Sequence, residues 1–344
     1  MPRESFSIAD VEVMAGTRAT ASIPLPKLNS HTELDLPVHI VHGKHAGPIL
    51  FVSAAIHGDE LNGVEICHRL LDYRGLQRVR GTLLVVPIVN VYGIIHQTRY
   101  LPDRRDLNRS FPGSEKGSLA SRVANLFMRE IVARCTHGID LHTGAVLRSN
   151  LPQIRANLED PATADMARAF GVPVLLNSPL RDGSLREAAA GHDVSMLLYE
   201  AGEALRYDEV SIRAGYHGVI NVMRSIGMLR ASKKTKPGLD PFIAKTSAWV
   251  RAPESGLVRD TIPLGRQVTK GDVLGHIGDP YSSYKMPVHS PFTGIIIGRS
   301  ESPVTHEGDA LFHIARFHDD IDDVEESVDS FHQAHTEEES WIEG

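Results

Sequence analysis

Ile49-Leu-Phe-Val-Ser-Ala-Ala-Ile-His57-Gly-Asp-Glu60 is the stretch that decides how this chain is read. Its small and apolar residues have the composition of a buried parallel strand, and the run ends abruptly in His57. Glu60 follows three positions later, just as Leu61-Asn-Gly-Val-Glu-Ile-Cys-His-Arg-Leu-Leu71 takes up helical periodicity. The result is a strand-to-helix turn that carries two side chains able to ligate a metal. In an open α/β sheet, ligands bind outside the carboxyl ends of the strands, so this imidazole and carboxylate are delivered where chemistry usually occurs. Alone, the pair is a weak motif, because polar turn residues with a glutamate in the first helical turn would read the same.

Working outward, strand and helix patterns alternate. Leu34-Asp-Leu-Pro-Val-His-Ile-Val41 reads as a strand, and His42 to Pro48 as the turn that feeds the opening strand. After a helix at 61–73, Gly81-Thr-Leu-Leu-Val-Val-Pro-Ile-Val-Asn90 is a nearly continuous apolar run of the kind covered on both faces. Gln97 to Ser114 is loop-like. A helix across Leu119 to Arg134, a strand Gly138–His142, a helix Pro161–Phe170, strands at 173–176 and 194–200 and a helix at about 208–227 complete the pattern. The expected architecture is α/β: a doubly wound, mixed and largely parallel sheet. A basic, Pro/Gly-bearing stretch, Ser232-Lys-Lys-Thr-Lys-Pro-Gly238, then reads as a connection, and from Ala244 short β runs are separated by turns. The expected division is residues 1–235 as a catalytic domain with an N-terminal β extension, 244–316 as a small all-β domain, and 317–344 as an acidic tail. That tail holds eleven Asp or Glu and no Lys or Arg, which favours a solvating, disordered segment, with Phe331 and Trp341 leaving room for a weakly docked helix.

Composition narrows the function. With 344 residues and 42% hydrophobic content the chain can bury one large core and a small second one. A net charge of −7 gives no electrostatic footprint for nucleic acid, and no basic cluster marks a membrane surface. The N-terminus lacks the basic start and apolar core of a signal peptide, and no apolar run approaches the roughly 18 residues of a membrane span. Two cysteines, Cys67 and Cys135, argue against a disulfide scaffold and a thiolate zinc site, so a cytoplasmic protein is expected.

A third candidate ligand is His142 in Ile139-Asp-Leu-His-Thr-Gly144, again at the carboxyl end of an apolar strand. Two histidines and one carboxylate are a usual set for catalytic zinc, with a fourth position open. Other divalent metals also suit this donor set. Asp140 alternates with His142 and is an alternative ligand, although a position behind the ligands or against substrate fits it better. Glu200 ends the apolar run Ser195-Met-Leu-Leu-Tyr-Glu200 and is placed to shuttle a proton. The loop Thr98-Arg99-Tyr-Leu-Pro-Asp-Arg-Arg105-Asp-Leu-Asn108-Arg109 carries four arginines, which can hold a substrate carboxylate and steady an oxyanion, and Arg148 and Arg155 extend the basic supply. An anionic, amino-acid-like substrate is expected.

Together, His57-Gly-Asp-Glu60, Asp106-Leu-Asn-Arg-Ser-Phe-Pro-Gly113, Asp140-Leu-His-Thr-Gly144 and Glu200 resemble the succinylglutamate desuccinylase/aspartoacylase family of the zinc carboxypeptidase superfamily. The resemblance covers about residues 35–228. It implies one zinc per chain on His57, Glu60 and His142, Glu200 as general base and acid, and Asn108 and Arg109 on a substrate carboxylate. Arg99 resembles the arginine that polarises the scissile carbonyl, although the segment up to Asp106 is about two residues longer than in aspartoacylase, which makes Arg104 and Arg105 alternatives to it in that role. The implied activity is deacylation of an N-acyl amino acid or related small carboxylate, with a metallocarboxypeptidase on short peptides and a binding protein with a vestigial site as alternatives. The β domain is similar to a lipoyl/biotinyl barrel-sandwich, but Tyr281 stands where the attachment lysine would be and Lys285 is off register, so no prosthetic group is expected. Such a domain would shield the site or build a homo-oligomer interface.

Overall fold

A computed structural model of the chain describes residues 3–231, 241–281, 283–316 and 324–336. The N-terminal part consists of the hairpin β1 (Phe6–Ile8) and β2 (Val11–Val13), then β3 (Thr17–Leu25), β4 (Leu34–His42) and β5 (His45–Ala54). Helix α1 (Asn62–Asp72), β6 (Arg80–Val86), α2 (Val91–Ile95), α3 (Leu119–Glu130) and β7 (His137–Gly144) follow. Next come β8 (Arg148–Ala156), α4 (Pro161–Phe170), β9 (Val174–Asn177), α5 (Leu185–Ala190), β10 (Ser195–Glu203) and α6 (Glu209–Ser225). The C-terminal β region contains β11 (Phe242–Ala244), β12 (Thr246–Arg251), β13 (Gly256–Arg259), β14 (Gln267–Val268) and β15 (Val273–Gly278). It continues through β16 (Lys285–His289), β17 (Gly294–Ser300), β18 (Val304–Thr305) and β19 (Ala310–Arg316) to helix α7 (Val324–Thr336).

The period-two rule explains the centre. In β5, Leu50, Val52 and Ala54 are buried in the layer of α1 with its Ile66, Cys67 and Leu70, a core that continues into α4 and α6. Phe51 points to the opposite layer, where it meets Phe127 of α3 edge to face at 5.9 Å. A strand buried on both faces needs the unbroken apolar run seen in the sequence. The two free cysteines are buried in these opposite layers, Cys67 in one and Cys135 in the other. Helix starts follow local chemistry as well: Asp160 caps α4 by accepting from Thr163 N, with Pro161 at the first helical position.

The sheet is mixed. Its order is β12-β19-β17-β8-β10-β7-β5-β6-β4-β3, parallel through β10, β7, β5 and β6 and antiparallel on both flanks. Strand β8, helices α2 and α5 and the full length of the strand ending at Glu203 go beyond the elements expected from sequence. The C-terminal β region does not stand apart from this sheet, because β17 pairs antiparallel with β8 at Arg148–Asn150. A second sheet, β16-β15-β13-β18, packs against it around Leu274, Ile277, Val288, Ile296 and Phe312. Tyr281 is 85% exposed, and Lys285 Nζ is engaged 2.6 Å from Asp260.

The basic connection at 232–238 and Trp341 lie outside the described residues. Within the acidic tail, however, α7 is a docked helix rather than a solvating coil. Its Val328 joins the cluster of Leu151, Val174 and Ile295, its Phe331 joins the core beneath α6, and Glu325 accepts from Gln267 N and Arg266. Phe331 had left room for such a helix in the sequence, whereas Val328, three residues earlier on the same helical face, was hidden among the acidic residues. Truncating Phe331, only 6% exposed, to alanine is therefore expected to lower stability by about 3 kcal/mol. Urea denaturation would read this as a lower midpoint, and an unchanged midpoint would mean that α7 is not docked in solution.

Candidate metal centre and active-site cavity

Strands β5 and β7 are neighbours in the parallel centre, so both of their carboxyl ends open on one edge of the sheet. The chain leaves β5 through Ala55, whose φ of +48° is costly for a residue with a Cβ. The turn after β6 holds it there, with Val89 N and Asn90 N donating to Ala54 O and Ala55 O. His57 and Glu60 follow at once, and His142 lies on β7.

The three side chains converge, each presenting a ligand atom within 4.8 Å of the others. His57 Nδ1 is 2.7 Å from Glu60 Oε1, and His142 Nδ1 is 2.8 Å from Glu60 Oε2. Each imidazole keeps its other nitrogen on a carboxylate: His57 Nε2 is 3.1 Å from Asp106, and His142 Nε2 is 2.7 Å from Asp140. Asp140 is itself fixed by Ser53 Oγ at 2.7 Å, which places it behind His142 rather than among the ligands. Two Nδ1 atoms and a carboxylate facing inward, with both Nε2 atoms anchored outward, is a donor set and support that fits a zinc ion.

Electrostatics agree with that fit. Burial would push Glu60 up, but the two imidazoles facing it hold its carboxyl far below the ordinary range. Burial would depress His57, yet Glu60 and Asp106 hold it above its usual value, and Asp140 and Glu60 do the same to His142. The pocket is built to hold positive charge against a buried carboxylate. Arg99 adds to it, donating through Nε and Nη2 to Asp106 Oδ2 at 3.1 and 2.9 Å, with Nη1 3.3 Å from Glu60.

Glu200 stands opposite His142 in the β10–β7 ladder. It accepts a hydrogen bond of 2.5 Å from Asn150 and lies 3.5 Å from Arg155 Nε. Just beyond it the ladders are irregular, and Gly202 takes a φ of +72° that suits a residue without a Cβ. Bulges of this kind commonly re-aim side chains beside active sites.

A cavity of about 470 Å³ opens over these groups. Its wall contains Arg99, Asn108, Arg109, Arg148, Arg155, Arg181 and Arg186, against only two carboxylates, Glu60 and Glu200. Arg105 is exposed and is not among the lining residues, because a turn in which Leu101 N donates to Arg105 O, with Arg104 at φ +63°, carries both arginines to the surface. Asn108 is buried, its Oδ1 accepting from Leu185 N, so it anchors α5 as well as lining the cavity.

Arg186 and Arg181 are functional candidates that the sequence reading did not reach. Arg186 is only 8% exposed and donates to the carbonyls of Ser178 and Pro179, and burial together with the facing Arg155 brings its guanidinium down to about 10. A buried cation without a carboxylate hydrogen-bond partner in the wall suits an anionic guest. The one signal for it in the sequence is an arginine early in a short Ser-capped helix, Ser184-Leu-Arg186-Glu-Ala-Ala-Ala190. Trp249, from β12, completes the wall, with the Arg148 guanidinium 5.2 Å from its ring centre and the His313 ring stacked on it at 4.7 Å.

Fold and donor set together place the chain among the α/β proteins that assemble a His-Glu-His site at strand ends. The family model of the succinylglutamate desuccinylase/aspartoacylase catalytic domain matches residues 46–226, and the chain belongs to that family. It is similar to the N-alpha-acetyl-L-2,4-diaminobutyric acid deacetylase of Halomonas elongata, with 26% identity over 292 residues, covering 81% of this chain and 85% of the relative. In structure it is similar to the succinylglutamate desuccinylase/aspartoacylase from Rhodobacter sphaeroides, at a TM-score of 0.79 and 24% identity over 91% of this chain and 99% of that one. The product-bound ectoine utilization protein EutE (DoeB) from Ruegeria pomeroyi gives a TM-score of 0.78 at 22% identity, over 92% and 98%. Among the described residues no helix is long and apolar enough to cross a membrane.

Asp140 offers a clean test of the metal site. Its replacement by asparagine removes the anionic acceptor behind His142, and zinc affinity is expected to fall about 10- to 100-fold. Competition with a chelating dye measures this, and an undiminished affinity would mean that Asp140 does not support a ligand of the candidate site.

Proposed function

We propose that this protein is a zinc-dependent amide hydrolase that deacylates a small, anionic N-acyl amino acid or a related carboxylate, with one zinc per chain held by His57, Glu60 and His142. The observation that carries the reading is the position of Glu200, level with His142 on the adjacent strand and open to the arginine-walled cavity. The volume, about 470 Å³, lies in the range of small-molecule sites, which favours a single acylated amino acid over a peptide. The Halomonas relative bears the name of a deacetylase of an amino acid, in keeping with this chemistry.

Zinc, when bound, supplies a Lewis acid for the acyl carbonyl and for the attacking water. Glu200 takes one proton as water adds to the acyl carbon, and returns it to the nitrogen as the C–N bond breaks, leaving an amine and a carboxylic acid that ionises by giving its proton to solvent. Arg99, clamped by Asp106 and fully charged, steadies the developing oxyanion at no cost in reorganisation. Asn108, Arg109, Arg148, Arg155 and Arg186 orient the anionic end, and the buried free thiols fit a reducing cytoplasm.

The test pairs metal analysis with hydrolysis of N-acetyl, N-formyl and N-succinyl amino acids. The expected result is about one zinc per chain, loss of activity on chelation and a fall of at least about 1,000-fold in kcat for Glu200→Gln with zinc retained. A Glu200→Gln protein that turns over normally would sink the mechanism, and metal-free protein inert on every substrate would sink the assignment. Arg186→Ala is expected to raise KM at least about tenfold with a smaller change in kcat. An unchanged KM would remove Arg186 from substrate binding.

A further inference from the structure

Glu200 is held from a direction that neither its strand nor the metal site accounts for. The amide of Asn150, on β8, donates to Glu200 Oε2 at 2.5 Å, while Arg155 lies nearest to the other oxygen, Oε1. Asn150 is only 8% exposed. A carboxylate oxygen accepts only, so the Asn150 amide must turn its nitrogen toward Glu200 and its own oxygen away.

The register explains how Asn150 reaches this face. Arg155 opposes Leu198, Gln153 opposes Glu200 and Asn150 opposes Gly202, so β8 spends three residues where β10 spends two. In an unbroken ladder Leu151 would oppose Gly202, and the Asn150 side chain would sit on the opposite face from Glu200. The extra residue brings Asn150 to Glu200.

The space for it comes from the C-terminal β region. Asn150 also pairs with Gly298 of β17, and a Cβ placed on Gly298 would lie 2.8 Å from Asn150 Oδ1 and 3.3 Å from His313 Cβ. The outward-turned amide oxygen therefore occupies room that any other residue at 298 would take. Gln153, which opposes Glu200 and is fully buried, reaches the same strand by donating to Ile297 O at 3.1 Å.

We propose that Asn150 is a positioning residue that fixes the Glu200 carboxylate through Oε2, and that Gly298 of β17 is required because it admits the Asn150 amide, so the C-terminal β region takes part in aligning the proton carrier. This rests on the reading of Glu200 as that carrier. A carboxylate held by one oxygen keeps the other aimed into the cavity, whereas a free one samples several rotamers and spends less time in reach of the proton it must move.

The experiment is a double-mutant cycle on the full-length, zinc-loaded protein with the substrate found active in the panel. Asn150→Ala and the same-sized Asn150→Asp are each expected to lower kcat about 10- to 100-fold, with KM within about threefold and zinc content unchanged. Glu200→Asp shortens the carrier away from Asn150, so adding Asn150→Ala to it is expected to cost less than about a further twofold. Gly298→Ala should lower kcat in the same direction, and should cost nothing more once Asn150 is already alanine. Full multiplicative losses in either double variant, or Asn150→Ala within about twofold of wild type, would overturn the proposal. An active Glu200→Gln protein would instead overturn the underlying reading of Glu200, so the two failures are distinguishable.

Discussion

The Glu60 carboxylate, buried and shared between the Nδ1 atoms of His57 and His142, is the interaction on which the rest of the site depends. An unpaired carboxylate at that depth would be neutralised or would disrupt the core. Two strand ends must therefore bring their imidazoles to it together, and each imidazole must be turned so that the correct nitrogen faces inward. Asp106 and Asp140 perform that turning, and Ser53 and Arg99 hold the carboxylates that do so. The parallel pairing of β5 with β7 fixes the strand ends, and the pairing of β7 with β10 adds Glu200 alongside. Packing, charge and chemistry thus converge on one edge of one sheet.

Around that edge the cavity wall is predominantly positive, its arginines outnumbering Glu60 and Glu200. Its arginines come from four separate parts of the chain: the loop after α2, strand β8, the turn before α5, and α5 itself. Burial, and after it the repulsion from the facing Arg155, holds the Arg186 guanidinium below its ordinary value. A guest that brings negative charge relieves this repulsion, so part of its binding energy is stored in the protein before it arrives.

What could be read from the sequence follows from where function and local pattern agree. His57 and Glu60 follow the apolar strand β5 and His142 lies near the end of β7, so the same pattern that announces the strand points to the candidate ligand. Glu200 was legible for this reason too. Strand β8 was not, because Arg148, Asn150 and Arg155 are demanded by the cavity and Gln153 by a buried hydrogen bond, and together they break the alternation that would mark a strand. Arg181 gave no local signal and Arg186 only its place in a Ser-capped helix, because tertiary packing brings that turn and six-residue helix over the site. The spacing between Arg99 and Asp106 left the choice among neighbouring arginines open, and the turn at Leu101–Arg105, which separates them in space, depends on a left-handed residue, Arg104, that side-chain pattern does not reveal.

Strand β8 has a shared edge. Its first residues pair with β17, its last with β9, and β9 in turn pairs with β11. The C-terminal region therefore covers backbone donors and acceptors that the first 231 residues leave open, along with the apolar cluster of Leu151, Val174 and Leu176. A bare sheet edge beside an apolar face is a template for pairing with another chain. Severed from the β region, the first 231 residues would carry that bare edge and its apolar cluster into solvent, as a sticky, aggregation-prone fragment.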